Sequence, residues 1–314
     1  MELAPIVLFV FRRPRHTAQL LESLARCAEI SASKLVVYCE GVKDQRDWAD
    51  IAATRKLVRD FRSAATIDII EHDANLGCAK SIISGISEVL ASHDRIIVLE
   101  DDLVLSRHFL SFMNSALIRY AADDHVMHVS GYQYPINLED QPTALSVPFI
   151  NPWGWGTWKR AWQRFDRSYR YLDWADRFWW RRFRLDSLGA FELRKALAQA
   201  KANELDEWDI SWSLTVFAHH GRAIFPRRSL VGTLGFDGSG THEMNGEYWV
   251  DPQSVIDNVE DQLPDQTRPC NSDLAMFAAR MKGGESVIRR SLNHLRGEWG
   301  WRYSLASLNG RQRN

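Results

Sequence analysis

The chain has 314 residues, 45% hydrophobic and 25% charged, a balance that excludes a disordered, collagenous or coiled-coil protein. Its 39 Lys and Arg against 40 Asp and Glu leave a formal charge of −1, which argues against a whole-protein electrostatic grip on nucleic acid. The length suits one large or two small domains, and the unusual count is Trp, at 13.

Short apolar runs alternate with helical patterns over residues 5–100. Ile6 to Phe11 reads as a buried strand, and Thr17 to Ala28 as a helix with Leu20, Leu21 and Leu24 on one face. Leu35 to Tyr38 is a second strand, Trp48 to Phe61 a helix, and Ile67 to Ile70 a third strand. Cys78 to Leu90 carries Ile82, Ile83, Ile86, Val89 and Leu90 at helical spacing, and Ile96 to Leu99 is a fourth strand. This order predicts an α/β fold with a mostly parallel sheet flanked by helices. Ligands of such sheets bind beyond the carboxyl ends of the strands, so Arg12-Arg13, Glu40-Gly41, His72 to Gly77 and Glu100 to Asp102 come first as site candidates.

From about residue 133 the pattern changes. Residues 147–184 are aromatic and basic, and positions 159–185 hold nine Lys and Arg against three Asp. A helix is predicted over Glu207 to His220, short strands near Ala223–Phe225 and Leu230–Leu234, a Gly-rich loop at FDGSGTH, and a helical tail after about 270. The cysteines Cys27, Cys39, Cys78 and Cys270 form no CxxC pair, so neither a zinc site nor a thioredoxin-like motif is suggested. No stretch approaches the ~18 apolar residues of a membrane span. The expected setting is cytoplasmic, with reduced thiols.

IIVLEDDL sets three carboxylates at the end of a hydrophobic strand. Adjacent acids repel one another, and placing them beside a core is costly unless a cation neutralises them. Hard oxygen ligands of this kind suit Mg²⁺ or Mn²⁺ bound jointly with phosphate. The bland reading is a solvated turn leading into a helix at Ser106.

Eight stretches, in order, carry a family resemblance: LFVFRRPRHT (8–17), YCEG (38–41), NLGCAKSIISGI (75–86), IIVLEDDL (96–103), HVSGYQYP (128–135), PWGWGTWKRAW (152–162), LDEWDISW (205–212) and GFDGSGTH (235–242). The chain resembles nucleotide-sugar-dependent glycosyltransferases of the GT-A fold, within or near glycosyltransferase family 2. It is more distantly similar to the N-acetylglucosaminyltransferase I family. The resemblance implies a Rossmann-like GT-A domain over 1–245, with a nucleotide-binding half (1–132) and an aromatic-rich acceptor half (133–245), followed by a helical extension over 246–314.

It further implies a metal-dependent, inverting transfer from a nucleoside-diphosphate sugar, most naturally a UDP-sugar, to a hydroxyl of a glycan or lipid-linked saccharide. Arg13 would support the nucleotide. Glu40 stands where the family usually has an Asp that reads the base, one methylene longer. Asn75 and Gly77 would let the backbone approach the ligand, with Lys80 and Ser81 reaching it from the following helix. Asp102, helped by Glu100, Asp101 and His242, would hold Mn²⁺ or Mg²⁺ on the diphosphate. Asp206 would be the catalytic base, with Glu207 and Asp209 as alternatives. Asp206 also reads as an ordinary helix N-cap, and His242 as an ordinary loop histidine.

Trp rings stack on the apolar faces of sugars, which makes Trp153, Trp155, Trp158, Trp208, Trp212 and Tyr132 candidate walls for donor or acceptor. Core packing is the competing use for each ring. The cluster from Phe178 to Phe183 pairs aromatics with arginines, compatible with peripheral contact at the inner face of a membrane and equally with a buried aromatic helix. Two rival functions share parts of the pattern. A sugar-1-phosphate nucleotidyltransferase would share the sheet and the acids, but its Gly-rich loop after the first strand is replaced by Arg12-Arg13-Pro14. A non-catalytic carbohydrate-binding protein would explain the Trp excess but has no use for the acidic triplet.

Overall fold

The structure is a computed structural model, and it describes residues 2–202, 207–237, 249–259, 262–265 and 270–294. Two expected site residues, Asp206 and His242, lie outside the described residues.

The first half follows the predicted alternation: β1 (Ile6–Val10), α1 (Pro14–Ala25), β2 (Lys34–Cys39), α2 (Trp48–Asp60), β3 (Thr66–Glu71), α3 (Cys78–Ser92) and β4 (Arg95–Glu100). All five residues of β1 are buried, which is why it reads as an unbroken apolar run; β3 lies at the sheet edge and alternates in exposure. The first helix starts three residues earlier than its apolar spacing suggests. Pro14 opens it, since proline's missing N–H costs nothing in a first turn. It also ends earlier, at Ala25, and Ala28–Ala32 tighten into a 3₁₀ turn.

A second departure concerns the acids. Instead of a helix from Ser106, Leu103–Leu105 form a short strand, β5, and α4 runs over Phe109–Arg119. The apolar residues of β5 pair antiparallel with β10 (Val231–Thr233), a partner far along the chain that local periodicity cannot reveal. Asp102 therefore precedes a strand and does not stand at a helix start.

The remaining elements are β6 (Val126–Ser130), β7 (Leu145–Val147), β8 (Trp155–Trp158), the short α5 (Lys159–Trp162), α6 (Leu172–Asp176) and α7 (Trp179–Leu185), then α8 (Leu193–Lys201), α9 (Asp209–Ala218), β9 (Arg222–Phe225), α10 (Pro252–Val255) and α11 (Cys270–Met281). Residues 287–294 are again helical. Eight strands form one sheet in the order β3-β2-β1-β4-β8-β6-β9-β7. The pairs β1–β2, β1–β4, β2–β3 and β6–β9 are parallel; β8 is antiparallel to both β4 and β6, and β7 to β9. Because β4 and β6 both oppose β8, they run the same way. The carboxyl ends of β1, β2, β3, β4, β6 and β9 thus share one edge.

The main core takes side chains from both halves and from α11, whose Leu274, Phe277 and Ala278 are buried. Asp273 of α11 accepts a hydrogen bond from the Ser146 amide at 2.8 Å, which fastens that helix beside β7. A smaller cluster of Leu172, Ala175, Leu185, Leu197, Ile210, Leu214 and Phe217 ties α6, α7 and α8 onto α9. Cys27 and Cys39 are buried free thiols, and burial pushes both up to about 12. Among the described residues no helix is long and apolar enough to cross a membrane.

Candidate active site

The acids at the end of β4 meet the loop that leaves β1. The Phe11 amide donates to Asp101 Oδ2 at 3.1 Å. Arg13 Nη1 donates to Asp102 Oδ2 at 3.0 Å and lies 3.5 Å from Asp101 Oδ1. Its neighbour Arg12 turns the other way and bonds Asp47 at 2.6 Å, so of the two arginines only Arg13 serves the acids. From the opposite side, the Leu234 amide after β10 donates to the Asp102 carbonyl at 2.7 Å. Gly235 follows, and a Cβ there would stand 2.5 Å from Asp102 Oδ2. A side chain at 235 would have to displace the Asp102 carboxylate, which glycine avoids.

The electrostatics are those of a crowded carboxylate site. Burial holds the half-buried Glu100 well above the usual carboxylate range, and the charges of Asp102, Asp101 and Asp209 push it further; Arg13 opposes them. Burial, followed by the charge of Asp102, raises Asp101 to about 7. Asp209 opens α9, shares a side-chain hydrogen bond with Glu207, and is raised to about 8, first by burial and then by the Glu207 charge. The fold thus brings Asp209 into electrostatic reach of Glu100 at the end of β4. The spacing of LDEWD gives no hint of that, because it depends on the packing of α9.

At the end of β2, the Glu40 carboxylate is buried and Oε2 accepts the Leu76 amide at 2.8 Å. Oε1 has no hydrogen-bond partner among the described residues and lies 4.0 Å from His72 Nε2. Asn75 Oδ1 accepts the Gly77 amide at 3.1 Å, and Gly77, at φ 84°, is the N-cap of α3. Glu40, Asn75 and Gly77 therefore form one corner. Lys80 and Ser81 do not act together there: Lys80 is exposed, Ser81 is buried, and consecutive helical residues face different ways.

The aromatic expectations divide. Tyr132 and Trp155 are fully buried and Trp208 is 3% exposed. Trp155 is packed between His128 at 4.9 Å and Trp208 at 5.1 Å, and Trp158 and Trp212 are buried too. These rings are core, with no free face for a sugar. Apolar ring area favours the interior of a sheet protein, and the sequence pattern does not separate that use from sugar stacking. Trp153 is half-buried; it meets Tyr132 edge-on at 4.7 Å and Phe236, beside Gly235, at 5.9 Å. His16 and Asp237, not foreseen as site residues, lie 3.1 Å apart and tie the end of this loop to α1.

Among the described residues no group of three or more His, Cys, Asp and Glu side chains is gathered for a metal ion. Asp102 is the carboxylate expected to hold one. Its side chain is 22% exposed, and Oδ2 is the oxygen that lies 3.0 Å from Arg13 Nη1. A single partly exposed carboxylate fits a hard divalent ion whose other ligands are phosphate oxygens and water.

No family model and no curated protein matches the chain. Among solved structures it is similar to TarS of S. aureus, at 14% identity and a TM-score of 0.35, over 52% of this chain and 30% of that one. The chain therefore spans less than a third of the length of TarS. It is also similar to apo mouse xyloside xylosyltransferase 1, at 14% identity and a TM-score of 0.33, over 69% and 80% of the two chains. A third match is a putative glucose-1-phosphate thymidylyltransferase from Bacillus anthracis, at 9% identity and a TM-score of 0.31, over 52% and 75%. At this level of similarity no shared activity follows.

Proposed function

We propose that the chain is a glycosyltransferase of the GT-A type, moving a sugar from a nucleoside-diphosphate sugar, with UDP as the nucleotide, to a hydroxyl of a glycan or lipid-linked saccharide. The observation that carries this reading is the meeting of Glu100, Asp101, Asp102, Asp209 and Arg13 at the carboxyl edge of a mostly parallel sheet. A structural ion pair needs one acid for one cation, whereas a divalent ion that bridges to a diphosphate takes carboxylate ligands of its own.

In this reading Arg13 contacts the diphosphate, and the Glu40 corner with Asn75 and Gly77 receives the nucleoside. Glu40 Oε1, held by the Leu76 bond on its sister oxygen, accepts an N–H from the base. Asp102 would hold Mn²⁺ or Mg²⁺. Such an ion, when bound, offsets charge on the departing diphosphate. Asp206 removes the proton of the acceptor hydroxyl as its oxygen attacks the anomeric carbon from the face opposite the diphosphate. That geometry inverts the anomeric configuration. Trp153, the half-buried ring beside the 235–237 loop, is the aromatic left to line the sugar.

The test is calorimetric titration and product analysis with UDP-, GDP- and dTDP-sugars, with and without Mn²⁺. A UDP-sugar should bind and be slowly hydrolysed, with turnover lost in Asp102→Ala and Asp206→Asn. Pyrophosphate release from a nucleoside triphosphate and a sugar 1-phosphate would replace this reading with the nucleotidyltransferase. Saccharide binding without donor binding would replace it with a lectin-like role.

A further inference from the structure

Three consecutive aromatic side chains stand in water. Phe178, Trp179 and Trp180 are 42%, 44% and 49% exposed. Scattered surface rings need no explanation, but adjoining ones mark a contact surface. The Phe178 and Trp180 rings stack at 5.9 Å and 11°. Arg181 lies 5.0 Å from each of their centroids and 4.4 Å from that of Trp174, and Arg177 covers Phe178 at 5.5 Å. Residues 177–184, RFWWRRFR, hold four Arg and no acid. The helix is anchored at its C-terminal end, where Phe183 and Leu185 are buried.

A second helical stretch braces this one. Over residues 287–294, Ile288 is 74% and Leu292 49% exposed, one turn apart and so on one face, with the exposed Arg289 beside them. Its inward side is fixed to the segment after α7: Arg290 Nη1 donates to the Leu188 carbonyl at 3.2 Å, and the His294 ring lies 5.3 Å from that of Phe183. Two adjoining helices thus each combine exposed apolar side chains with exposed or aromatic-stacked cations.

We infer that this surface docks on an anionic lipid bilayer. The headgroup zone is where a ring finds one apolar and one wet side, and where clustered Arg meets lipid charge of the opposite sign. Arginine stacked on aromatic rings keeps its charge while covering apolar surface, which suits that boundary. The docked helix would also fix the site relative to the membrane. α7 shares the smaller core cluster with Ile210 and Leu214 of α9, the helix that Asp209 opens. The inference is independent of the transferase reading, since it needs no donor, metal or turnover.

The test is co-sedimentation of the full chain with phosphatidylcholine vesicles and with vesicles half phosphatidylglycerol. Binding should require the anionic lipid and be lost in 1 M salt, where screening shortens to ~3 Å. The pairs Trp179→Ala/Trp180→Ala and Ile288→Ser/Leu292→Ser, all exposed positions, should each weaken it at least tenfold, with unchanged circular dichroism. Absence of binding at low salt, equal binding to neutral vesicles, or undiminished binding by both variants would overturn the inference. Any of these outcomes leaves donor turnover, assayed separately, unaffected.

Discussion

Arg13 Nη1, in the loop after β1, lies 3.0 Å from Asp102 Oδ2, in the loop after β4, and this ion pair joins the two ends of the acid cluster. Arg13 is the cation that lowers both Glu100 and Asp101, while Asp102 raises both. The two partners of one ion pair therefore act in opposite directions on the two neighbouring carboxyls.

The first prediction follows from that opposition. Arg13→Ala leaves the acids without their cation and should cost about 1 kcal/mol, a drop of roughly 1–2 °C for a chain of this size. Asp102→Asn relieves repulsion within the cluster and should raise the melting temperature by a similar amount while abolishing donor turnover. Sites kept for function at the expense of stability behave this way. Adding Arg13→Ala to Asp102→Asn should cost less than adding it to the parent. Thermal melts of the four proteins measure this, and a destabilised Asp102→Asn with strictly additive effects would show that the acids do not repel as described.

Asp209 gives a pH signature. Its carboxyl is raised from 3.8 to about 8, so the folded protein holds a proton that the unfolded chain has released. That contribution to stability is complete below pH 3.8 and is lost as pH rises toward 8. Asp209→Asn mimics the protonated carboxyl and does not titrate. The variant should gain on the parent steadily from about pH 4 to pH 8, by on the order of a few kcal/mol, and the gap should level off above that. Denaturant melts across this range follow the gap. A gap constant with pH would mean that Asp209 is ionised throughout.

What the sequence discloses here depends on whether a signal is local. β1 through β4 and their helices are legible because β1, β2 and β4 bury continuous apolar runs, the edge strand β3 is a short apolar stretch between helical patterns, and each helix has an apolar face. The carboxyl edge follows from that order, and with it Arg13, Glu40, Gly77 and the triplet 100–102. β5 was hidden because Leu103–Leu105 are too few to show a period and pair with residues near 231. The His16–Asp237 contact and the approach of Asp209 to Glu100 were hidden for the same reason. The aromatic residues misled in another way. Trp155 and Trp208 carry the chemistry of a sugar platform, yet burying their area outweighs that use, and sequence alone gives no measure of exposure.

The last prediction concerns the core beneath the site. His128 is fully buried against Trp155, its Nε2 lies 3.0 Å from the Asn151 carbonyl, and Trp212 Nε1 donates to Nδ1 at 3.3 Å. A carbonyl can only accept and an indole N–H can only donate, so the ring is neutral with its proton on Nε2. Protonating Nδ1 would set two donors face to face in a dry site, and burial accordingly lowers the group from 6.5 to about 3. Stability from this histidine is complete above pH 6.5 and is lost as pH falls toward 3. His128→Phe leaves the Asn151 carbonyl and Trp212 N–H unpaired, at about 1–3 kcal/mol each, so at pH 7 the parent should be the more stable. On acidification the parent should lose that lead below pH 6.5, because the carboxylates that titrate there are common to both proteins and cancel in the difference. Parallel urea melts at pH 7 and pH 4.5 read the change directly, and an unchanged lead at pH 4.5 would show that His128 titrates as an ordinary solvated histidine.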